Sequence, residues 1–208
     1  AQQAEHLYVF QRTAAFTVPA RNGPLDPVEQ RRIKADYQGY RQRWSQNPGG
    51  ADFRVNMTSA LAVSEAERRR EYEARWQDGG LPFLGAFADL LFDASANETA
   101  AGFFRAKVGE IVRDPATAGK LLPRQVFGCK RMCVDTDYYA TFNRPKVTLV
   151  DLDETPIEEV TTSGLRTRGG EYALDSIVYA TGFDAMTGAL LAMDIRGRNG
   201  LTLRDKWA

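Results

Sequence analysis

Leu7-Tyr8-Val9-Phe10-Gln11-Arg12-Thr13 is a short run of apolar, aromatic and β-branched side chains that stops at a cation and a hydroxyl. A run of this kind suits a buried strand. The polar Ala1 to Glu5 stretch before it reads as the last turn of a helix. The same strand texture returns after Pro123, in Val147-Thr148-Leu149-Val150, Ile157 to Val160, Gly164 to Thr167 and Leu174 to Ala180, with Pro and Gly as punctuation. A short helix is expected around Asp135 to Phe142. Ile177-Val178-Tyr179-Ala180, apolar throughout and closed by Thr181-Gly182, reads as a buried central strand.

The stretch between these strands has a different period. After a loop rich in Pro and Gly (Val18 to Leu25), Asp26 can cap a helix, with Pro27 at its first position and Glu29 completing a capping box. Ile33, Tyr37, Tyr40 and Trp44 follow at helical spacing. Ser64 and Glu67 repeat the capping pattern before a charged helix with Tyr72 and Trp76, which Gly79-Gly80 can stop. Phe83, Leu84, Phe87, Leu90 and Leu91 form a third apolar stripe. Ser95 with Glu98 is expected to open a fourth helix, buried through Phe104, Val108 and Ile111, and Asp114-Pro115 a fifth. Residues 26–122 therefore read as all-helical, and the chain as strand, large helical excursion and sheet again. Helical spacing alone makes the aromatic stripe a core.

Composition narrows the function. The 208 residues include 27 Lys plus Arg and 27 Asp plus Glu, so no net field would gather a polyanion, and nucleic acid is not an expected partner. No run approaches the length of a membrane span and the first residues lack a signal peptide, so a soluble, non-secreted, cytoplasmic protein is expected. The chain begins without Met, which agrees with a start inside a longer protein. Cys129 and Cys133 could share one helical face, but the single histidine, His6, leaves no set for a metal, so they read as reduced structural thiols. His6 reads as structural, and no nucleophile elbow accompanies it.

Two places offer chemistry. In dinucleotide-binding sheets a strand commonly ends beside the adenosine ribose, where an arginine accepts a 2′-phosphate. Arg12 gives a permanently charged planar fork and Thr13 a small hydroxyl donor, a pair suited to NADPH. The bland alternative is a solvated arginine at a strand end. Gly128-Cys129-Lys130-Arg131 sets two adjacent cations where the chain re-enters the sheet, and the alternative there is a surface charge pair. No G-x-G-x-x-G occurs in the chain.

Several blocks, taken in order, resemble the type I Baeyer–Villiger monooxygenases: Val9-Phe-Gln-Arg-Thr13, Val18-Pro-Ala-Arg-Asn-Gly-Pro-Leu-Asp-Pro27, Gly128-Cys-Lys-Arg131, Asp137-Tyr-Tyr139, Phe142-Asn-Arg-Pro145 and Ala180-Thr-Gly-Phe-Asp184. The similarity runs from about His6 to Trp207. It implies an α/β fold, part of a Rossmann-like NADPH-binding domain split by a large all-helical insertion. It also implies an enzyme in which NADPH reduces FAD and O2 is then used to turn a ketone into an ester or lactone. By this resemblance Arg12 and Thr13 grip the NADPH 2′-phosphate, Lys130 assists, and Arg131 is the active-site arginine. Thr181 and Gly182 lie where cofactor contact is expected.

The departures from the family pattern matter as much. Members are more than twice as long and carry two glycine-rich dinucleotide motifs and a His-containing fingerprint that this chain lacks. The resemblance therefore implies an internal piece. Residues 1–25 and 123–182 would belong to the NADPH domain, 26–122 to the helical insertion and 183–208 to the start of the return to the FAD domain. The partners implied are a ketone, O2 and the absent FAD-domain segments, with no nucleic acid and no membrane. A nitrogen- or sulfur-oxidising flavin monooxygenase and a non-catalytic NADP-binding or helical module are the other readings.

Overall fold

The computed structural model of the chain describes residues 2–47, 50, 55–182, 184 and 187–207. It divides into two compact units, Ala1–Pro156 and Ile157–Ala208.

In the first unit, β1 (Leu7–Gln11) pairs in parallel with β4 (Val147–Asp151), and β2 (Thr17–Pro19) in parallel with β3 (Cys133–Asp135). A parallel pair cannot be closed by a hairpin and needs a long crossover. Here the whole helical segment lies between the partners. β2 and β3 arise where a loop was expected at Val18 and a helix at Asp135. Their ladder continues outward through Cys133 N–H to Phe16 O (3.1 Å) and Ala20 N–H to Asp135 O (2.7 Å). Residues 2–5 are not helical, so the expected last turn there is corrected.

The helical segment keeps its expected helical character, with shifted boundaries. The first helix splits into α1 (Pro27–Ala35) and α2 (Tyr37–Ser45) at Asp36, whose backbone leaves the helical region and whose carboxylate caps Gly39 N–H at 2.9 Å. Asp26 caps α1 through Val28 N–H. Glu29 turns outward to Arg32 instead of closing a box. The Ser64–Glu67 box is present at the start of α3 (Glu65–Asp78), with both of its bonds made. Gly79 ends that helix at φ +76°, where a Cβ would run into Pro19 O, and Gly80 N–H donates to the same carbonyl at 2.9 Å. α3 is thereby tied to the end of β2.

Phe83 to Leu91 forms no α-helix. A 3₁₀ turn (Leu81–Gly85) and further turns still bury Phe83, Phe87 and Leu90. α4 (Ala94–Ile111) is capped by Asp93, two residues before the expected Ser95, because its carboxylate takes both Ser95 N–H (2.8 Å) and Ala96 N–H (2.9 Å). Glu98 pairs with Arg105. α5 (Pro115–Lys120) is capped by Asp114 as expected, and α6 (Tyr138–Thr141) is the short helix foreseen near Phe142.

Two cores result. Phe16 and Val18 of the β2 region pack with Tyr72, Trp76, Phe83, Phe104 and Phe127. Val108, Leu121, Tyr139, Phe142 and Val147 form a second cluster against Leu7 and Val9. α4 supplies Phe104 to one and Val108 to the other, so it is the spine of the unit.

The second unit holds the antiparallel sheet β5 (Ile157–Thr161), β6 (Gly164–Thr167) and β7 (Gly170–Ala173), with Leu165 and Thr167 of the middle strand buried. Two short helices, α7 (Gly188–Leu191) and α8 (Leu203–Trp207), follow. The expected buried strand at Ile177–Ala180 is not formed: β7 stops at Ala173, and Val178 is 88% exposed. A strand's N–H and C=O groups need a neighbour, and none of the described residues offers one.

Candidate functional site

The end of β1 and the loop that leads to β2 are held at Gln11, Ala14 and Ala15. Gln11 Nε2 donates to Lys120 O (2.9 Å), Leu152 N–H to Gln11 O (2.9 Å), Gln125 Nε2 to Ala14 O (2.9 Å) and Tyr139 O–H to Ala15 O (3.2 Å). Arg12 and Thr13 nevertheless stay exposed at the carboxyl end of β1, and no side-chain bond or ion pair joins either to another described residue. The chain is held on either side of Arg12 and Thr13, at Gln11 and Ala14, while their side chains are left available.

Lys130 and Arg131 occupy the loop that Gln125 ties to Ala14, and both are exposed. Phe127, buried in the aromatic core, anchors one end of this loop, and Met132 and β3 anchor the other. Between them Gly128 adopts φ +83°, and a Cβ there would press on the Leu91 side chain. The structure thus places Arg12, Thr13, Lys130 and Arg131 on two loops of one unit that share a hydrogen-bonded frame. Thr181 and Gly182 lie in the other unit, exposed and outside any strand, with Gly182 at φ +91°. Phe183 of the same block lies outside the described residues, as does Ala208.

One residue of this frame was not foreseen. Asn97 of α4 is 7% exposed, and its Nδ2 donates to both Leu90 O and Phe127 O at 2.7 Å while Oδ1 accepts from Phe127 N–H at 3.0 Å. Its signal in the sequence is an amide on the apolar face shared by Ala101, Phe104 and Val108, three and four residues apart.

Burial pushes the Tyr139 phenol up to about 12, against the opposing effect of its hydrogen bonds near Thr17. Tyr138 is raised for the same first reason, with the Asp135 carboxylate adding to it. Both stay neutral donors at ordinary pH. Tyr139 and Asp135 also brace Thr17, whose hydroxyl donates to the Asp135 carboxylate.

The donor set suits one cofactor group and not another. A guanidinium, a hydroxyl and an ammonium without side-chain partners among the described residues can meet the oxygens of a phosphate. The pyrophosphate of FAD calls for open helix N-termini or glycine-rich turns. The N-termini of α1 to α5 are filled by the side chains of Asp26, Asp36, Ser64, Asp93 and Asp114. Among the described residues, these five helix N-termini are therefore not open to the pyrophosphate of FAD. Among the described residues no cluster of three His, Cys, Asp or Glu could hold a metal, and no helix is long and apolar enough to cross a membrane. Cys129 and Cys133 are free, in keeping with their reading as reduced thiols, but both are exposed and lie in a bend and in β3, so they neither share a helical face nor serve the core. His6 bonds Thr148 Oγ1 at 2.9 Å and packs on Tyr8, as a structural histidine would.

No protein-family model matches the chain. It is 40% identical, over 98% of its length, to a Baeyer–Villiger monooxygenase of Pseudooceanicola batsensis and, to the same degree, to the phenazine N-monooxygenase PhzNO1 of Lysobacter antibioticus. It covers 38% of each. An oxidized steroid monooxygenase bound to NADP superposes with a TM-score of 0.93 at 47% identity, over 99% of this chain and 40% of that one. The chain thus spans about two fifths of the length of these relatives, and over nearly all of its own length its sequence and its mixed helix and strand fold are similar to those of Baeyer–Villiger and related monooxygenases.

Proposed function

We propose that the chain is the NADPH-facing part of an FAD- and NADPH-dependent monooxygenase that converts ketones to esters or lactones with O2. In this reading residues 1–25 and 123–182 are two parts of a Rossmann-like NADPH domain, 26–122 is its helical insertion, and 183–208 begins the return to the FAD-binding part. The parallel pairing of β1 with β4 and β2 with β3 across the helical segment supports that division. The observation that carries the function is the pair of exposed cationic loops on one clamped frame, with Arg12 and Thr13 on one and Lys130 and Arg131 on the other.

Arg12 would hold the 2′-phosphate of NADPH with Thr13 donating beside it and Lys130 adding charge. NADPH, once bound, supplies a hydride. Arg131 would face the reacting oxygen atoms and stabilise the negative charge that grows on the ketone oxygen when its carbonyl is attacked. A guanidinium does this without losing its proton. Thr181 and Gly182 are assigned to cofactor contact on their family motif alone. Alone, the 208-residue chain is expected to hold no stoichiometric FAD and to make no ester.

The 40% identity to a phenazine N-monooxygenase favours one second reading, nitrogen oxidation by the same cofactors. Product analysis with a ketone and with an N-heterocycle separates the two. The cofactor assignment is tested by Arg12→Ala in the full-length, flavin-loaded parent enzyme. Losing a charge-assisted phosphate contact costs on the order of 1.5–3 kcal/mol, about tenfold to more than a hundredfold in NADPH affinity. NADH, without that phosphate, should be unaffected. Equal loss of both would make Arg12 structural.

A further inference from the structure

Asn97 belongs to the helical segment, yet two of its three side-chain bonds go to the loop that carries the cation pair. It is the amide side chain that satisfies both backbone polar groups of Phe127, the residue just before Gly128-Cys129-Lys130-Arg131. Phe127 is further fixed by its ring, 5.2 Å from both Phe16 and Phe104. At the far end, Met132 is buried and Cys133 N–H is bonded to Phe16 O. The exposed residues Cys129 to Arg131 are thus suspended between two anchors, and the first of these is set by Asn97.

A buried amide is an expensive way to fill a core position, because each polar atom must find a partner. Asn97 finds them in Leu90 O on one side and in Phe127 on the other, so one side chain closes the turn before α4 onto the cationic loop. An apolar residue on the same helix face would serve packing alone. It could not fix where along the helix the Phe127 peptide sits, since dispersion contacts tolerate a slide that paired hydrogen bonds do not.

We propose that Asn97 is a positioning residue, which registers the Lys130–Arg131 pair against the helical segment through the backbone of Phe127. The proposal rests on the assignment of Arg131 to the reaction. A displacement of about 1 Å at a catalytic group can cost as much as a hundredfold in rate. Asn97→Ala in the flavin-loaded enzyme is therefore expected to lower kcat for ester formation roughly tenfold to a hundredfold, with the ketone KM little changed, and to lower the ester formed per NADPH consumed.

The test is a double-mutant cycle with Arg131→Ala in the full-length parent enzyme, measured on flavin-loaded protein only. If Asn97 acts through Arg131, Asn97→Ala removes nothing more once Arg131 is gone, and the two effects are strongly non-additive. The same proportional loss in both backgrounds, or no loss in either, would overturn the proposal and leave Asn97 as a packing residue. Asn97→Ser, which is smaller but keeps a donor, goes through the same cycle should the alanine variant fail to load flavin. Failure of both to load would make Asn97 a folding residue, and the proposal would be wrong. An Arg131→Ala enzyme with undiminished ester yield would instead remove Arg131 from the reaction, and the positioning role with it. That outcome is distinct from one in which Arg131 matters and Asn97 does not.

Discussion

The helical segment and the strands that flank it were built under different constraints. α3, α4 and α5 each begin at a side chain that caps them locally, and α4 buries six of its residues over 18 positions. β1 has one neighbour, β4, and all five of its residues are only half-buried. Ile177 to Gly182 has the composition of a central strand and forms none. A helix pairs its own backbone, so nearby residues decide it, whereas a strand is decided by a partner far along the chain. The contrast teaches that apolar spacing predicts burial where a helix has packing partners, as in α3 and α4, and fails where partners are lacking, as in the 177–182 run and in α1 and α2, whose Ile33, Tyr37, Tyr40 and Trp44 stripe is not buried.

The largest effect that can break this contrast comes from one substitution in each region. Phe104 is fully buried, with the rings of Phe16, Trp76, Phe83 and Phe127 between 4.7 and 5.5 Å away. Phe104→Ala should cost about 3–5 kcal/mol, enough to unfold a marginal chain. Val178→Ala should stay within about 0.5 kcal/mol, because the side chain is 88% exposed. Urea unfolding of the two variants measures both. Comparable losses would mean that the 177–182 run is packed after all.

Much of the helical segment was legible for that reason. Ser64 with Glu67 and Asp114 with Pro115 mark true helix starts. Asp36 was missed because its break competes with a continuing apolar period from Ile33 to Trp44. Phe83 to Leu91 satisfied the helical pattern and buried Phe83, Phe87 and Leu90, though not Leu91, without becoming a helix, which shows that periodicity reports a buried face before it reports a backbone. β2 was illegible: three residues ending in proline inside a Pro- and Gly-rich stretch form a strand only because β3 arrives beside them. At the site, Arg12, Lys130 and Arg131 stood out as charges near strand ends and Thr13 as a hydroxyl beside one of them, but grammar alone could not separate them from solvated residues. Asn97 was hidden because its partners are carbonyls and an N–H, groups that every residue carries.

A smaller effect tests the strand side of the comparison through pH. Three buried or part-buried tyrosines, Tyr72, Tyr138 and Tyr139, are all raised by burial, Tyr139 most clearly, to about 12 from 10.0. A raised folded value favours the protonated form in the native state. Stability from this source is therefore complete below pH 10 and is lost as pH climbs from 10 toward 12. For Tyr139, 3% exposed, two units correspond to about 2–3 kcal/mol. Alkaline unfolding should steepen above pH 10, and Tyr139→Phe should remove much of that slope while also releasing the bond to Ala15 O. An unchanged slope would place the titrating group elsewhere.

The smallest effect sharpens the helical side, because it asks which of two neighbouring residues starts α4. Asp93 accepts from Ser95 N–H and Ala96 N–H, two of the donors a helix leaves unpaired in its first turn. Ser95 is exposed and already inside the helix. Asp93→Ala should cost about 1 kcal/mol. Ser95→Ala should cost nothing and can gain up to about 0.5 kcal/mol, since alanine is the better helix former there. The same urea titration reads both. Because Asn97 sits one turn into this helix, a weakened cap would also loosen the amide that holds Phe127. Asp93→Ala should therefore speed amide hydrogen exchange at Phe127 more than at Val108, whereas Ser95→Ala leaves both as they are. Equal protection at the two sites in the Asp93 variant would separate the cap from the loop it is argued to support.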